Sequence, residues 1–349
     1  MENQLCHKKL RTNLIIGIGH PLLDITATVQ NDFLKKYDLK ENDAILITEK
    51  QKDMLEELMK FEVKYTVGGS IQNTLRVVQW LTKVHHLTTF FGSIGNDKFA
   101  DIMYSQATLD GVNVRYKRIN EPTGTCMVLI TGNNRSLCTN PGSSKNFDFE
   151  YLVNEENITL LQTAKYYYLG GFFLNVCLKT VTEVAKLAAK NNRQFLFNLS
   201  APFICHLHKE VLFEIVPYID VLFGNRSEIE ALAESFKIDK KSLQDKIRVL
   251  INWKKVNKVR TRLVVITQGE NHVLVGIENK ILTFSVPKLE KNKIVDTNCA
   301  GDAFVGGFLS QYIQDHDVEA CVKCGIWAAS EIIQKDGCTY NNETDYKSS

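Results

Sequence analysis

The sequence contains no uninterrupted apolar run that approaches the roughly 18 residues of a membrane-spanning helix. This absence predicts that the chain is not an integral membrane protein and has no membrane partner. The N-terminus also has no apolar signal-peptide core, and the nine cysteines are odd in number and scattered along the chain. Together these features favour a reducing, cytoplasmic location, and they are compatible with the nucleus as an additional location.

An excess of charge of either sign is missing as well. The 42 lysines and arginines nearly balance the 40 aspartates and glutamates, so the formal net charge is +2. Such a chain has no overall field that attracts nucleic acid, and we expect no nucleic-acid partner. What is present is an ordinary globular composition, with 44% hydrophobic and 23% charged residues in a chain of 349. This length suits one large α/β domain with an appendage, or two smaller domains.

The segment 296–302 passes from polar turn-forming residues into an apolar, helix-spaced run that continues to Leu309. A helix beginning near Ala300 would leave its first backbone N–H groups unpaired at the positive end of the helix dipole, where an anion binds. Asp302 in the first turn then has two interpretations. It either only complements the dipole, or acts as general base for a hydroxyl that attacks a bound phosphate. The local pattern does not decide between them.

A second polar stretch begins at Gly69, where a strand passes through paired glycines into a helix with Ser70 as the predicted N-cap. Gly69 and Asn73 are four residues apart and would share one face of the first turn, where a glycine lets a ligand approach the backbone. The alternative is an ordinary turn. Asp24, inside an otherwise apolar strand, is either a solvent-facing acid or a carboxylate that accepts two vicinal hydroxyls of a furanose.

The pattern of elements predicts the fold class. Strands and helices alternate regularly from about residue 149 onward, which predicts a parallel sheet with helices on both faces. Strands at 112–119, 124–131 and 135–138 instead follow one another without helices, which predicts a small antiparallel sheet that segment 22–29 joins. We interpret this small sheet as a lid. Arg135, just past the predicted hairpin turn, is either a solvated charge or a fork for phosphate oxygens.

These elements predict one unit over 1–349. Its large α/β domain would comprise about 10–21, 49–62, 68–114 and 141–340, and its lid about 22–48, 63–67 and 115–140.

Polar residues follow the ends of successive predicted strands. In a parallel sheet these ends meet at one edge, where ligands bind. Phe172 and Phe173 follow a strand too, and one of them could stack on a base. Asn225 and Glu228 either form a capping box or contact Mg²⁺ through water. The strand-end residues are Gly171, Asn198, Asn225, Thr267 and Gly269.

The segment 296–302, followed by an apolar glycine-containing helix, resembles the signature of the ribokinase-like carbohydrate and nucleoside kinases, with Cys299 where that family has a glycine. The resemblance covers nearly the whole chain. The other matching stretches are 21–24, 68–73, 122–126, 134–136, 171–174, 198–203, 223–225 and 267–269.

This resemblance implies a Rossmann-like parallel sheet with a small β-rich lid, and transfer of the ATP γ-phosphate to the 5′-hydroxyl of adenosine, giving AMP in purine salvage. It also implies Mg²⁺ as cofactor and a monomeric enzyme. Asp302 would be the base, with Cys299, Ala300, Gly301 and Arg135 around the phosphates. The nucleoside would contact Asp24, His20, Gly69, Ser70, Asn73, Asn198 and one of Phe172 and Phe173. ATP would contact Asn225, Thr267 and Gly269, and Mg²⁺ would meet Glu228 and Asn225 through water.

Two departures from the family pattern lie near the expected site. His20 replaces an asparagine, and residues 140–143 replace a small, alanine-rich stretch. Cys299 adds a third departure, inside the signature itself. From Cys299 we expect reduced turnover, because its side chain could strain or displace the loop and its thiol could ionise at the helix N-terminus. The alternatives are a catalytically impaired nucleoside-binding paralogue, or a kinase of another nucleoside or of a sugar.

Overall fold

The computed structural model describes residues 10–132 and 134–346. The termini at 1–9 and 347–349, and Asn133 in the predicted hairpin turn, lie outside the described residues. The strands are β1 Ile15–Ile18, β2 Leu22–Thr28, β3 Ala44–Leu46, β4 Lys64–Gly68, β5 Thr88–Ile94, β6 Asn113–Arg118, β7 Thr125–Thr131, β8 Asn134–Asn140, β9 Tyr166–Gly170, β10 Gln194–Asn198, β11 Ile219–Asn225, β12 Leu263–Thr267, β13 Val273–Ile277 and β14 Lys280–Phe284.

The helices lie between these strands and after the last of them. They are α1 Asn31–Lys36, α2 Met54–Leu58, α3 Ser70–Thr82, α4 Lys98–Leu109, α5 Phe149–Leu152, α6 Ile158–Thr163, α7 Leu178–Lys190, α8 Pro202–Leu207, α9 Lys209–Ile215, α10 Arg226–Ser235, α11 Leu243–Ile251, α12 Ala300–Tyr312 and α13 Val318–Ile332. Within the described ranges, none of them is long and apolar enough to span a membrane.

The large sheet has nine strands in the order β14-β13-β12-β11-β10-β9-β1-β5-β6. Pairing is parallel from β12 to β6 and antiparallel at the β12/β13 and β13/β14 edge. All four residues of β1 are buried, and so are all five of β9, as expected of strands covered on both faces. The predicted α/β fold, a parallel sheet flanked by helices, is therefore confirmed.

The prediction that 112–119 belongs to the small sheet is wrong. Strand β6 lies at the edge of the large sheet, where Thr89 to Ile94 of β5 pair in parallel with Asn113 to Arg118. The reason is helix α4, which supplies the crossover that a parallel β5-α4-β6 unit requires.

The small sheet has five strands in the order β3-β8-β7-β2-β4. It is mixed rather than purely antiparallel as predicted. The β2/β7 and β3/β8 pairs are parallel, whereas β2/β4 and β7/β8 are antiparallel. The short strand β3, which the sequence pattern did not reveal, pairs with β8 at one edge.

The ends of the parallel strands bring the predicted polar residues to one edge. Gly170 is in register with Asn198, and Asn225 is in register with Thr267. The strand order reverses at β1, because β5 and β6 extend on one side and β9 to β12 on the other. A crevice at such a reversal is where ligands bind in open α/β sheets.

Helix α12 packs closely against both α3 and α13. A Cβ added at Gly306 would lie 2.6 Å from Val77, and one at Gly307 would lie 2.5 Å from the Cys324 carbonyl oxygen. Side chains at these two positions would push the helices apart. The two glycines thereby allow the first turn of α12 to lie beside the first turn of α3. The site forms between these two turns.

Candidate active site

Asp302 lies in the first turn of α12, as predicted, and its carboxylate is held by α3. The Ser70 hydroxyl donates to Oδ1 at 2.6 Å, and the Asn73 amide donates to Oδ2 at 3.2 Å. Burial raises the pKa of Asp302 to about 7, although both hydrogen bonds oppose that rise. A carboxyl group with this pKa is poised to accept a proton near neutral pH.

The N-cap of α3 is Gly69 and not Ser70, which corrects the prediction. Gly69 has φ +90°, and a Cβ there would lie 2.0 Å from the His20 carbonyl oxygen. Both observations demand glycine at this position. Ser70 becomes the first helical residue, so its hydroxyl is free to contact Asp302 rather than to cap the helix.

Asp24 extends from β2 into the same cavity as Asp302. Burial raises its pKa to about 7, the positive charge of Arg76 opposes this, and the negative charges of Asp296 and Asp302 add to it. A Cβ at Gly68 would lie 2.3 Å from Asp24 Oδ1. The glycine at the end of the neighbouring strand β4 therefore leaves room for the carboxylate. Asp24 is therefore a cavity-facing acid and not a solvent-facing strand-end residue.

The cavity between the two sheets has a volume of about 540 Å³, the size range of small-molecule sites. Its apolar contribution from the small sheet was not predicted: Ala44, Ile45, Leu46 and Leu137 line it, and Leu46 is 66% exposed. These apolar side chains can be recognised as cavity-lining residues only from their exposure to the cavity, which the sequence does not show. Of the predicted residues, the cavity is lined by His20, Asp24, Gly69, Ser70, Asn73, Phe172, Phe173, Cys299 and Asp302.

Phe172 and Phe173 have different roles. Phe173 is 1% exposed and its ring packs edge-on against Phe147 at 5.8 Å. Phe172 is 37% exposed, and its ring lies 6.2 Å from that of Phe203, which the sequence analysis had not singled out. Phe172 is thus the ring that is available to a planar ligand.

Some predicted residues lie outside this cavity. Asn198, Asn225, Thr267 and Gly269 are at the ends of β10 to β12 and do not line it. Arg135, Ala300 and Gly301 are also absent from its lining. The Ala300 N–H donates to the Thr297 carbonyl at 3.1 Å, inside the turn. The next amides of the first turn, those of Gly301 and Asp302, lie at the helix end where no intrahelical carbonyl precedes them.

Asn225 and Glu228 form the capping box that was one of their two interpretations. The Glu228 carboxylate accepts from the Asn225 backbone N–H at 2.9 Å and from its side-chain amide at 2.7 Å, and burial raises the Glu228 pKa. Across residues 10–132 and 134–346, no group of three or more His, Cys, Asp or Glu residues could hold a metal. One carboxylate and one amide that already pair with each other are groups that Mg²⁺ would meet through its own waters, since this ion commonly retains several of them.

Arg135 reaches from β8 to the segment that precedes α12. Its guanidinium lies 3.4 Å from Asp296 and also pairs with Asp336. Asp296 in turn accepts backbone N–H bonds from Asn298 and Gly337, each at 3.0 Å. Arg135 is thus not a solvated charge, because it pairs with Asp296, at the start of the segment 296–302, and with Asp336. Neither of these two ion pairs was predicted from the sequence.

Two of the reasons for expecting impairment from Cys299 do not hold. Its φ is −96°, so the position does not require glycine for backbone conformation. Contact with Cys338 and burial raise the pKa of the Cys299 thiol, so the group stays neutral rather than ionising. Cys299 is the N-cap of α12, and its sulfur lies 3.7 Å from the Asn73 amide nitrogen.

Comparison with known proteins decides the family. Residues 31–345 match the model of the pfkB family of carbohydrate kinases. The chain belongs to this family.

Among relatives, the chain is 41% identical to adenosine kinase 2 of Arabidopsis thaliana over 335 residues, covering 95% of this chain and 97% of the relative. It is 37% identical to the adenosine kinase of Dictyostelium discoideum, covering 93% and 96%. A solved structure of Anopheles gambiae adenosine kinase, in complex with P1,P4-di(adenosine-5) tetraphosphate, is 46% identical with a TM-score of 0.89, covering 97% and 100%. Within the family, the chain is therefore of the adenosine kinase type.

The close approach at Gly69 is testable through stability. Gly69→Ala should lower the free energy of unfolding by more than about 3 kcal/mol, because a positive φ costs a side chain about 1–3 kcal/mol and the His20 carbonyl must also move. Gly301→Ala is the matched control, since a Cβ at Gly301 has no neighbour within 4 Å. Urea denaturation should place the control within about 1 kcal/mol of the parent. Equal stability of the two variants would contradict the geometry.

The neutral thiol of Cys299 predicts a mild phenotype. Cys299→Gly should change turnover by less than about threefold, since the backbone is already relaxed and the helix N-cap accepts glycine. The parent should also react slowly with iodoacetamide at neutral pH, because the thiolate is the reactive form. A large gain in turnover, or fast alkylation that ATP prevents, would restore the original expectation of impairment.

Proposed function

We propose that this chain transfers the γ-phosphate of ATP to the 5′-hydroxyl of adenosine and so forms AMP. The observation that carries the proposal is Asp302, a carboxyl group with a pKa near 7 at the N-terminus of α12, in one cavity with Asp24. The names of the relatives support the choice of nucleoside. The Asp24 carboxylate provides a hydrogen-bond acceptor for the ribose hydroxyls, and the apolar residues of β3 and β8 provide a surface for the flat base.

The nucleoside would lie between the two sheets. The Asp24 carboxylate would accept hydrogen bonds from the two ribose hydroxyls, while Gly69 gives them access to the backbone and Asn73 offers its amide. The half-exposed Phe172 ring would contact the adenine face. Apolar residues of β3 and β8 would cover the base from the small-sheet side. This orientation directs the 5′-carbon toward the first turn of α12.

In the reaction, the Asp302 carboxylate removes the proton of the 5′-hydroxyl, and that oxygen forms a bond to the γ-phosphorus. The bond from the γ-phosphorus to the oxygen of ADP breaks, and ADP leaves with the electron pair. The amides of Gly301 and Asp302 stabilise the transferring group at the helix end. Ser70 and Asn73 hold the Asp302 carboxylate, the general base, in place through their hydrogen bonds.

ATP would bind along the strand ends that lead to the cavity, at Asn225, Thr267 and Gly269. Mg²⁺ would neutralise charge on the phosphates and be held near Asn225 and Glu228 through water. Arg135 would assist when phosphate competes with Asp336 for its guanidinium. The enzyme would act as a monomer, since one chain supplies all of these groups. It would be located in the cytoplasm or in the nucleus. Each residue of the proposed chemistry is present, so no impaired paralogue or sugar kinase is proposed.

The role of Asp302 predicts a specific kinetic defect. Asp302→Asn should lower kcat by about 100- to 10,000-fold, because the amide cannot accept the proton, while adenosine still binds with nearly parental affinity. A coupled ADP-release assay and titration calorimetry measure the two effects. Asp101→Asn, on the exposed face of α4, is the control and should match the parent. In the parent, kcat/KM should fall about tenfold per unit as the pH drops below about 7, as the base becomes protonated. Full turnover in Asp302→Asn would exclude this residue as the base.

Asp24 should act through binding instead. Asp24→Ala should weaken adenosine binding by roughly 1.5–3 kcal/mol, which is the value of hydrogen bonds to a charged group, with the KM for ATP little changed. Calorimetric titration with adenosine and with 2′-deoxyadenosine separates the hydroxyls. The variant should no longer distinguish the two nucleosides. Parental adenosine affinity in Asp24→Ala would show that the carboxylate does not hold the ribose.

A further inference from the structure

The side chain of His20 crosses the crevice at which the strand order of the large sheet reverses. His20 follows β1, and Phe172 follows the neighbouring strand β9. The His20 Nε2 atom lies 3.2 Å from the Phe172 carbonyl oxygen. Its other ring nitrogen, Nδ1, lies 3.1 Å from the hydroxyl of Ser144, in the segment that returns from the small sheet. One side chain therefore connects three segments around the cavity.

The hydrogen-bond partners define the roles of the two ring nitrogens. The Phe172 carbonyl can only accept, so Nε2 must carry a proton for this bond to form. The Ser144 hydroxyl lies 2.6 Å from the Pro141 carbonyl, to which it donates. Burial lowers the pKa of His20, opposed by the bond to the Phe172 carbonyl. A neutral ring protonated on Nε2 keeps the Phe172 bond, and its Nδ1 lone pair then competes with the Pro141 carbonyl for the single proton of the Ser144 hydroxyl.

The backbone and ring of His20 are fixed from other sides. Its carbonyl oxygen occupies the space where Gly69 has no side chain. Its ring packs edge-on against Phe173, with centroids 6.0 Å apart and planes at 72°. The turn after β1, packed against Gly69 and Phe173, thus provides an anchor. Phe172, by contrast, lies in a short 3-10 turn, Gly171–Asn175, that has no side-chain cap, and its ring is half-exposed toward the cavity.

We infer that His20 is a positioning residue for the nucleoside base, because it fixes the Phe172 backbone and so sets where the aromatic wall of the cavity stands. The inference rests on the proposed function and adds a determinant of base selectivity to it. His20 acts on the base through Phe172, and it does not touch the reacting atoms at Asp302. Its loss should therefore alter nucleoside binding while phosphoryl transfer and ATP binding remain.

The test compares steady-state kinetics of four variants with adenosine and uridine as acceptors. His20→Ala should raise the KM for adenosine about tenfold, the size expected when a buried partner is left without its hydrogen bond. Its kcat and its KM for ATP should stay within about twofold of the parent. The preference for adenosine over uridine, as a ratio of kcat/KM, should fall. His20→Gln, whose amide can donate to the Phe172 carbonyl, should recover most of the adenosine KM.

Two further variants complete the design. Ser144→Ala removes the Nδ1 partner, together with the hydroxyl's bond to the Pro141 carbonyl, and should raise the adenosine KM by less than about threefold. His206→Ala is the matched control, because His206 also pairs with a serine, Ser235, at 3.2 Å, but does not line the cavity. Its kinetics should match the parent.

Unchanged adenosine KM in His20→Ala would overturn the inference. A parallel rise in the KM for adenosine and the KM for ATP in His20→Ala would overturn it as well. So would a failure of His20→Gln to recover the adenosine KM. A parent that does not phosphorylate adenosine would overturn the proposed function instead. The adenosine dissociation constants from calorimetry would then test His20 on their own, with the same tenfold criterion for His20→Ala.

Discussion

The site depends on one interaction between helices, the pair of hydrogen bonds by which Ser70 and Asn73 of α3 hold the Asp302 carboxylate of α12. The first turns of both helices must meet for this contact to form. Gly306 permits the approach of α12 to α3, and Gly69 permits the approach of α3 to the turn after β1. The close packing of these elements thus serves to keep one carboxylate fixed at the end of a helix, in partly dehydrated surroundings.

The arrangement costs stability. Asp24 and Asp302 are acids in one cavity, and burial raises both pKa values to about 7. A protein that only had to fold would not bury two like charges together, and such strain is typical of functional sites. The same burial makes Asp302 a stronger base than an exposed carboxylate. Arg76 partly compensates near Asp24, and it is itself anchored to Asp110 at 2.6 Å.

Local patterns predicted where the polar residues lie on the helices and strands better than they predicted the long-range contacts of those residues. The start of α12, the acid in its first turn and the polar strand ends follow from residue types within a few positions, and the structure places them as expected. The exact N-cap of α3 did not follow, because the choice between Gly69 and Ser70 depends on the distant His20 carbonyl. The sheet to which β6 belongs, the pairing of Arg135 with Asp296 and Asp336, and the neutral thiol of Cys299 beside Cys338 are all long-range contacts. A sequence pattern does not encode such contacts.

The most direct test of the account is the pH dependence of stability, because it reports the pKa of Asp302 in the folded chain without any substrate. A carboxyl group whose folded pKa is raised stabilises the fold below its unfolded pKa and loses that contribution as the pH rises through about 7. Urea denaturation of the parent and of Asp302→Asn at about pH 5 and about pH 8.5 measures this difference. Asp302→Asn is expected to gain stability relative to the parent at the higher pH, where the parent carboxylate is charged. A difference between the two proteins that is the same at both pH values would contradict it.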